Sequence, residues 1–249
     1  MTINKLWRTF ATGLSFSTFG VMGIVFALVV SPLILVFFTN EQKRKRAARC
    51  VVQKSFMAFL CWMRFLGVLS WKTREIERLS APGQLIVCNH ITLIDVIFLI
   101  AHIPNAAAVV KAALKRNPFT YAPVKAAGYC TNDEGPKLIQ ECVQELRSGA
   151  SLVIFPEGTR TPPGQIPHLK RGAMLVALTA GIDLTIVNIS CQPLSLTKGN
   201  PWWRVPDEPM SFTITVQDQL SIAPYQAQFQ SDPPKAARAL SQAVYRSLF

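Results

Sequence analysis

The chain has 249 residues, of which 26 are Lys or Arg and 14 are Asp or Glu, for a net charge of +12. Half of it is apolar and only 16% is charged, the reverse of the balance in a disordered chain, and 13 Gly and 17 Pro without a period exclude collagen-like or low-complexity character. The length suits one domain of about 200 residues plus an appendage, and a mean hydropathy of +0.27 indicates that part of the chain meets lipid.

Thr9 to Asn40 is a run of 32 residues without a charge, and a membrane-spanning helix needs about 20. Its most apolar part, Val21 to Phe38, exceeds the roughly 7–15 residues of a signal-peptide core. Pro32, inside the run, is expected to kink the helix. Lys43, Arg44, Lys45, Arg46 and Arg49 follow at once. Basic residues beside an apolar span mark the cytoplasmic side and attract anionic headgroups. A second apolar segment, Ser55 to Trp71, carries Arg64 in its middle and is 17 residues long. It reads as a helix lying in the interface, with Trp62 and Trp71 at a suitable depth. Residues 43–78 hold ten basic and two acidic residues. An excess so placed favours an anionic membrane surface as partner over nucleic acid. The chain therefore divides into a membrane-anchoring part, 1–78, and a folded domain, 79–249, expected on the cytoplasmic face of an inner membrane.

Beyond Gln84, short apolar runs alternate with helical stretches. Strands are expected at 85–89, 106–111, 151–155 and 183–190, with an edge strand at 211–216. A helical stretch from Lys111 is expected to stop at Pro118. Leu138, Cys142 and Leu146 recur every four residues in a helix closed by Gly149; another helix covers 173–181. From Pro233, Leu240, Val244 and Leu248 share one helical face. This alternation predicts an α/β fold, a mostly parallel sheet flanked by helices, with N-terminal membrane helices. The six cysteines show no CxxC and no metal-ligand spacing to His, and read as buried thiols in a reducing compartment.

Two segments carry chemistry. His90 and Asp95 follow the 85–89 strand, where ligands collect in α/β sheets. Five residues on a regular helix are about 140° apart. The two side chains therefore meet only if His90 lies in the turn before the helix and Asp95 in its first turn. Asp95 then accepts a hydrogen bond from one ring nitrogen and leaves the other free as a general base. That is a base and its orienter without a protein nucleophile, which suits attack by a substrate hydroxyl. Phe155 to Arg160, FPEGTR, follows another buried strand. Gly158 permits close backbone approach, Arg160 suits a phosphate or carboxylate, and Glu157 is placed to orient a hydroxyl. His102 reads as a helix-end histidine, and His168 belongs to a Pro-rich loop with Pro162, Pro163 and Pro167.

His90-x4-Asp95 followed some 60 residues later by FPEGTR resembles the glycerolipid acyltransferase family, which includes 1-acylglycerol-3-phosphate acyltransferases. Lys111-Ala-Ala-Leu114 with Pro118, and Gly172 with the helix–strand unit after it, are similar to further family stretches. The resemblance implies acyl transfer from acyl carrier protein or coenzyme A to a lysolipid hydroxyl. It implies no metal and no prosthetic group. On it, His90 is the base, Asp95 its orienter, and Glu157, Gly158, Thr159, Arg160 and Lys111 bind substrate. Two stretches depart from the pattern. The second block, Gly128 to Glu134, has no Arg, and Thr185-Ile186-Val187 stands where a Pro is usual. The loop Leu196 to Arg204, with Trp202 and Trp203, is similar to one in members acting on specialised lipids such as aryl polyene lipids, and equally reads as an interfacial aromatic loop. The acceptor therefore stays open. So do a catalytically silent lipid-binding or assembly protein of the same fold, and a thioesterase in which water replaces the acceptor.

Overall fold

The computed structural model describes residues 3–132 and 136–249. The chain begins with helix α1 (Ile3–Val25), a π-helical stretch (Phe26–Val30) and α2 (Ser31–Phe37), which run on without a break. The π stretch is the local form of the expected kink. Pro32 has no N–H to give, and the ladder shifts so that Ser31 N–H reaches Phe26 O, five residues back. Helix α3 (Glu41–Phe65) is capped by Asn40, whose side chain accepts from Lys43 N at 3.1 Å. It takes in both the basic cluster and most of the second apolar segment. That segment does not stay helical to Trp71: the chain turns at Gly67, φ +71°, and Trp71 lies on strand β1 (Leu69–Arg74). Two of the six cysteines, Cys50 and Cys61 on α3, are exposed rather than buried.

The remaining elements follow as β2 (Leu85–Cys88), α4 (Asp95–His102), β3 (Ala106–Val110), α5 (Pro118–Ala126), β4 (Cys130–Thr131), α6 (Pro136–Arg147), β5 (Ser151–Ile154), α7 (Gly172–Ala180), β6 (Leu184–Gln192), β7 (Met210–Leu220), α8 (Ala223–Ser231) and α9 (Pro233–Leu248). Pro118 starts a helix instead of stopping one. Asn117 accepts from Phe119 N, and a proline in the first turn has no N–H to leave unpaired.

The strands form one sheet ordered β1-β7-β6-β2-β5-β3-β4. Every pairing is parallel except β6 with β7. The strand expected at an edge, β7, is internal, since β1 lies outside it in register from Leu69↔Met210 to Arg74↔Thr215. Alternate side chains of β2 feed the two faces. Ile86 and Cys88 join a core with α3 and α4, and Leu85 and Val87 join one with α6, α7 and α9. Strands β2 and β5 are adjacent and parallel, Leu85↔Leu152 to Val87↔Ile154. The turns that leave their C-terminal ends therefore emerge side by side.

The N-terminal helix packs against the domain along one side. Trp7 donates to Leu66 O, Phe19 meets Phe59, and Gly23 faces the Phe119 carbonyl so closely that a Cβ would collide. Its other side is apolar and bare: Val21, Ile24, Val25, Leu28, Val29, Leu33, Leu35 and Val36 are exposed. Ile3–Phe37 is one helix long and apolar enough to cross a membrane. At the start of α3, Arg49 is buried and holds Glu145 of α6 at 2.7 Å, Ala127 O at 2.8 Å and Asn105 at 3.3 Å; Lys45 bonds the same carboxylate at 2.9 Å. Burial pushes the Glu145 carboxyl up, but the bonds from Arg49 and Lys45 overcome it and hold the carboxyl below its usual range.

Candidate active site

The site sits where β2 and β5 end. The chain leaves β5 for β6 on the far side of β2, having reached β3 on the near side. That reversal opens a crevice at the strand ends. Asn89 anchors the first turn, accepting from Ile189 N at 2.7 Å and donating to Ile189 O at 2.8 Å. His90 stands in the turn and Asp95 opens α4, so the pair meets, with Nδ1 and Oδ2 2.9 Å apart. Asp95 is wholly buried. Its carboxylate also accepts from Ile91 N and Thr92 N, each at 2.7 Å, and from the Thr92 hydroxyl. With a carboxylate oxygen as acceptor, His90 presents Nδ1–H to it, and Nε2 is left as the ring nitrogen without a partner among the described residues. The imidazole stacks on Phe155, with centroids 4.3 Å apart.

The FPEGTR turn lies against this histidine. Glu157, buried, accepts from His90 N at 2.6 Å with one oxygen and from the Thr161 hydroxyl with the other. Thr161 N in turn donates to His90 O at 3.1 Å. The expected hydroxyl-orienting group thus faces inward and fixes the backbone of His90. Gly158 has φ +67°, a conformation that needs glycine here. Thr159 Oγ1 accepts from Lys111 Nζ at 3.2 Å, so two residues read separately in the sequence meet. Arg160 donates to Leu196 O at 2.9 Å, and the same carbonyl accepts from Leu93 N at 3.0 Å. Leu196 carried no signal in the sequence, because its carbonyl does the work and its φ of +54° is read only in the fold.

No thiol near the site is a ready nucleophile. Burial, then the fields of Asp95 and Glu157, push the Cys88 thiol well above its usual range, and burial pushes Cys191 up to about 12. His102 bonds Phe98 O at 2.8 Å as a helix-end residue, and His168 is exposed in its loop. Trp202 packs on Gly13 and on Phe16 of α1. Of the second block, Asp133 and Glu134 lie outside the described residues. Among the described residues, no group of three or more His, Cys, Asp or Glu side chains is placed to hold a metal ion.

A half-buried histidine paired with a buried aspartate thus stands at the strand ends of a mostly parallel sheet, against a turn bordered by Lys111 and Arg160. The Acyltransferase family model matches residues 70–192, just under half of the chain with both motif turns included, and in this region the chain is similar to the glycerolipid acyltransferases. It is 29% identical over 158 residues to the 1-acyl-sn-glycerol-3-phosphate acyltransferase of Helicobacter pylori, covering 60% of this chain and 63% of that one. It is 26% identical over 178 residues to the enzyme of the same name from Pseudomonas aeruginosa, covering 68% and 65%. The matched region thus spans a little under two thirds of each of these relatives. The crystal structure of the 1-acyl-sn-glycerophosphate acyltransferase PlsC from Thermotoga maritima shares the fold, with a TM-score of 0.71, 17% identity, and 96% and 95% of the two chains covered.

Proposed function

We propose that the protein is a membrane-associated O-acyltransferase that moves an acyl chain from a thioester of acyl carrier protein or coenzyme A to the hydroxyl of a 1-acylglycerol-3-phosphate-type lysolipid. The observation that carries this reading is the His90–Asp95 pair, its Nε2 unclaimed, locked by Glu157 to a turn rich in anion-binding groups. Nε2 takes the proton of the acceptor hydroxyl as its oxygen attacks the thioester carbonyl. The tetrahedral intermediate then collapses, the C–S bond breaks, and the leaving thiolate recovers the proton from His90. Asp95 stabilises the imidazolium between these steps. No acyl-enzyme is needed, in keeping with protonated Cys88 and Cys191. Lys111 and Arg160 flank the acceptor's charged headgroup.

The bare apolar side of the N-terminal helix, with the basic start of α3 beside it, supports a seat on the cytoplasmic leaflet of an inner membrane, where a lipid hydroxyl meets a donor arriving from water. The test is product analysis with labelled acyl-coenzyme A and acyl carrier protein donors, lysolipid acceptors and vesicles. A diacylated phospholipid supports the proposal. Free fatty acid alone indicates a thioesterase, label in another lipid class reassigns the acceptor, and no turnover with either donor indicates a silent lipid-binding protein.

A further inference from the structure

We infer that Lys170 is an acceptor-binding residue, and that its ammonium group completes a three-cation seat for a phosphomonoester headgroup beside His90. The inference rests on the acyl-transfer reading above and adds to it a residue that selects the acceptor's headgroup. Lys170 is ten residues beyond Arg160, yet the fold returns it to the FPEGTR turn. Its N–H donates to Pro156 O at 2.7 Å, which closes the intervening loop and fixes the base of the side chain. From there the stem lies across Gly158. A Cβ at 158 would stand 2.9 Å from Lys170 Cε and 3.0 Å from both Cδ and Nζ. The ammonium group therefore sits over the glycine, between Glu157 and Thr159 in the chain.

Two more cations border the same turn. Lys111 Nζ reaches Thr159 Oγ1 at 3.2 Å, and Arg160 spends one Nη on Leu196 O at 2.9 Å. The carboxylate of the turn, Glu157, is spent inward on His90 N and Thr161. Among the described residues, no carboxylate pairs with Lys111, Arg160 or Lys170. Three uncompensated positive charges around one turn repel each other, and an anion among them relieves that repulsion. A phosphomonoester carries nearly two negative charges and three acceptor oxygens at neutral pH, which matches three cations better than a phosphodiester does. The turn is hydrogen-bonded to the backbone of His90 on both sides, so the seat holds a fixed position relative to the base.

The test uses the full chain in mixed micelles, with Lys170→Met, which keeps the stem on Gly158 without the charge, and Lys170→Arg, which keeps the charge. Acceptors are lysophosphatidate, lysophosphatidylglycerol and monoacylglycerol. In Lys170→Met the KM for lysophosphatidate is expected to rise about tenfold or more, the loss of one charge-assisted contact. Its kcat should stay within about threefold and the donor KM should not move. The effect should shrink for the phosphodiester, and Lys170→Arg should recover most of it. An equal change for every acceptor, a change confined to the donor KM, or no change would each overturn the inference while wild-type turnover keeps the acyl-transfer reading. Absence of wild-type transfer to any acceptor would remove both.

Discussion

Asp95→Asn isolates the charge behind the candidate base. The carboxylate accepts from His90 Nδ1, Ile91 N and Thr92 N on one oxygen and from the Thr92 hydroxyl on the other. An asparagine can present its carbonyl to the first three donors. Its amide then faces Thr92 Oγ1, which turns to accept. The geometry survives and the charge does not. Three charge-assisted bonds become neutral ones of about half the strength, a cost of about 2–3 kcal/mol, or a fall in Tm of about 4–12 °C at this chain length. Loss of the anion that stabilises the imidazolium should lower kcat by about 10²–10⁴, with KM for both substrates within about threefold. Alanine is the wrong probe. It leaves four donors without their acceptor, two of them buried, at about 1–3 kcal/mol for each buried one, enough to unfold a marginally stable domain. The assay is steady-state transfer in micelles beside a thermal melt of the same preparation. A folded Asp95→Asn variant that keeps more than a third of wild-type kcat would refute the role given to this carboxylate.

Further expectations concern stability and the membrane. Gly158→Ala places a Cβ against Lys170 at φ +67° and should cost about 1–3 kcal/mol, read as a lower Tm; an unchanged Tm would contradict it. Glu145, its carboxyl held below the usual range in the fold, binds fewer protons folded than unfolded. Its contribution is therefore present above about pH 4.3 and lost as pH falls through the lower folded value. Glu145→Gln should flatten the acid limb of a plot of Tm against pH, and an unaltered limb would show that the bonds from Arg49 and Lys45 carry no such linkage. Leu28→Asp with Val36→Asp, both highly exposed, should leave Tm in detergent nearly unchanged but weaken binding to anionic vesicles by at least tenfold, since a charge at depth costs about 2.5–3.5 kcal/mol. Undiminished flotation with vesicles would place that face in water.

What the sequence revealed of the site was local. His90 and Asp95 belong to one turn and one helix start, so their spacing alone set the condition for contact, and the structure meets it. The FPEGTR turn was visible as a polar break after a buried strand. What joins the two is the adjacency of β2 and β5, 60-odd residues apart, which no local pattern encodes. For that reason Glu157 read as a substrate group when its oxygens are spent on His90 and Thr161. Strands β1 and β4 escaped notice because one is polar along its exposed half and the other is two residues long. Pro118 read as a helix stop although it starts one, and Asn117 was the signal for a start. The buried Arg49–Glu145 pair links residues nearly a hundred positions apart, which is why Arg49 read as one of the headgroup-facing basic residues when it points into the fold.

The most direct test of the central claim is single-turnover transfer from a labelled acyl thioester to lysophosphatidate by wild type and by His90→Gln. The account predicts no acyl-enzyme and no donor breakdown until acceptor is added. It then predicts transfer by wild type and a rate at least 10²-fold lower for His90→Gln, with the variant folded. Transfer at an undiminished rate without His90, or label trapped on the protein before acceptor arrives and passed on to it, would contradict a histidine base acting directly on the acceptor hydroxyl.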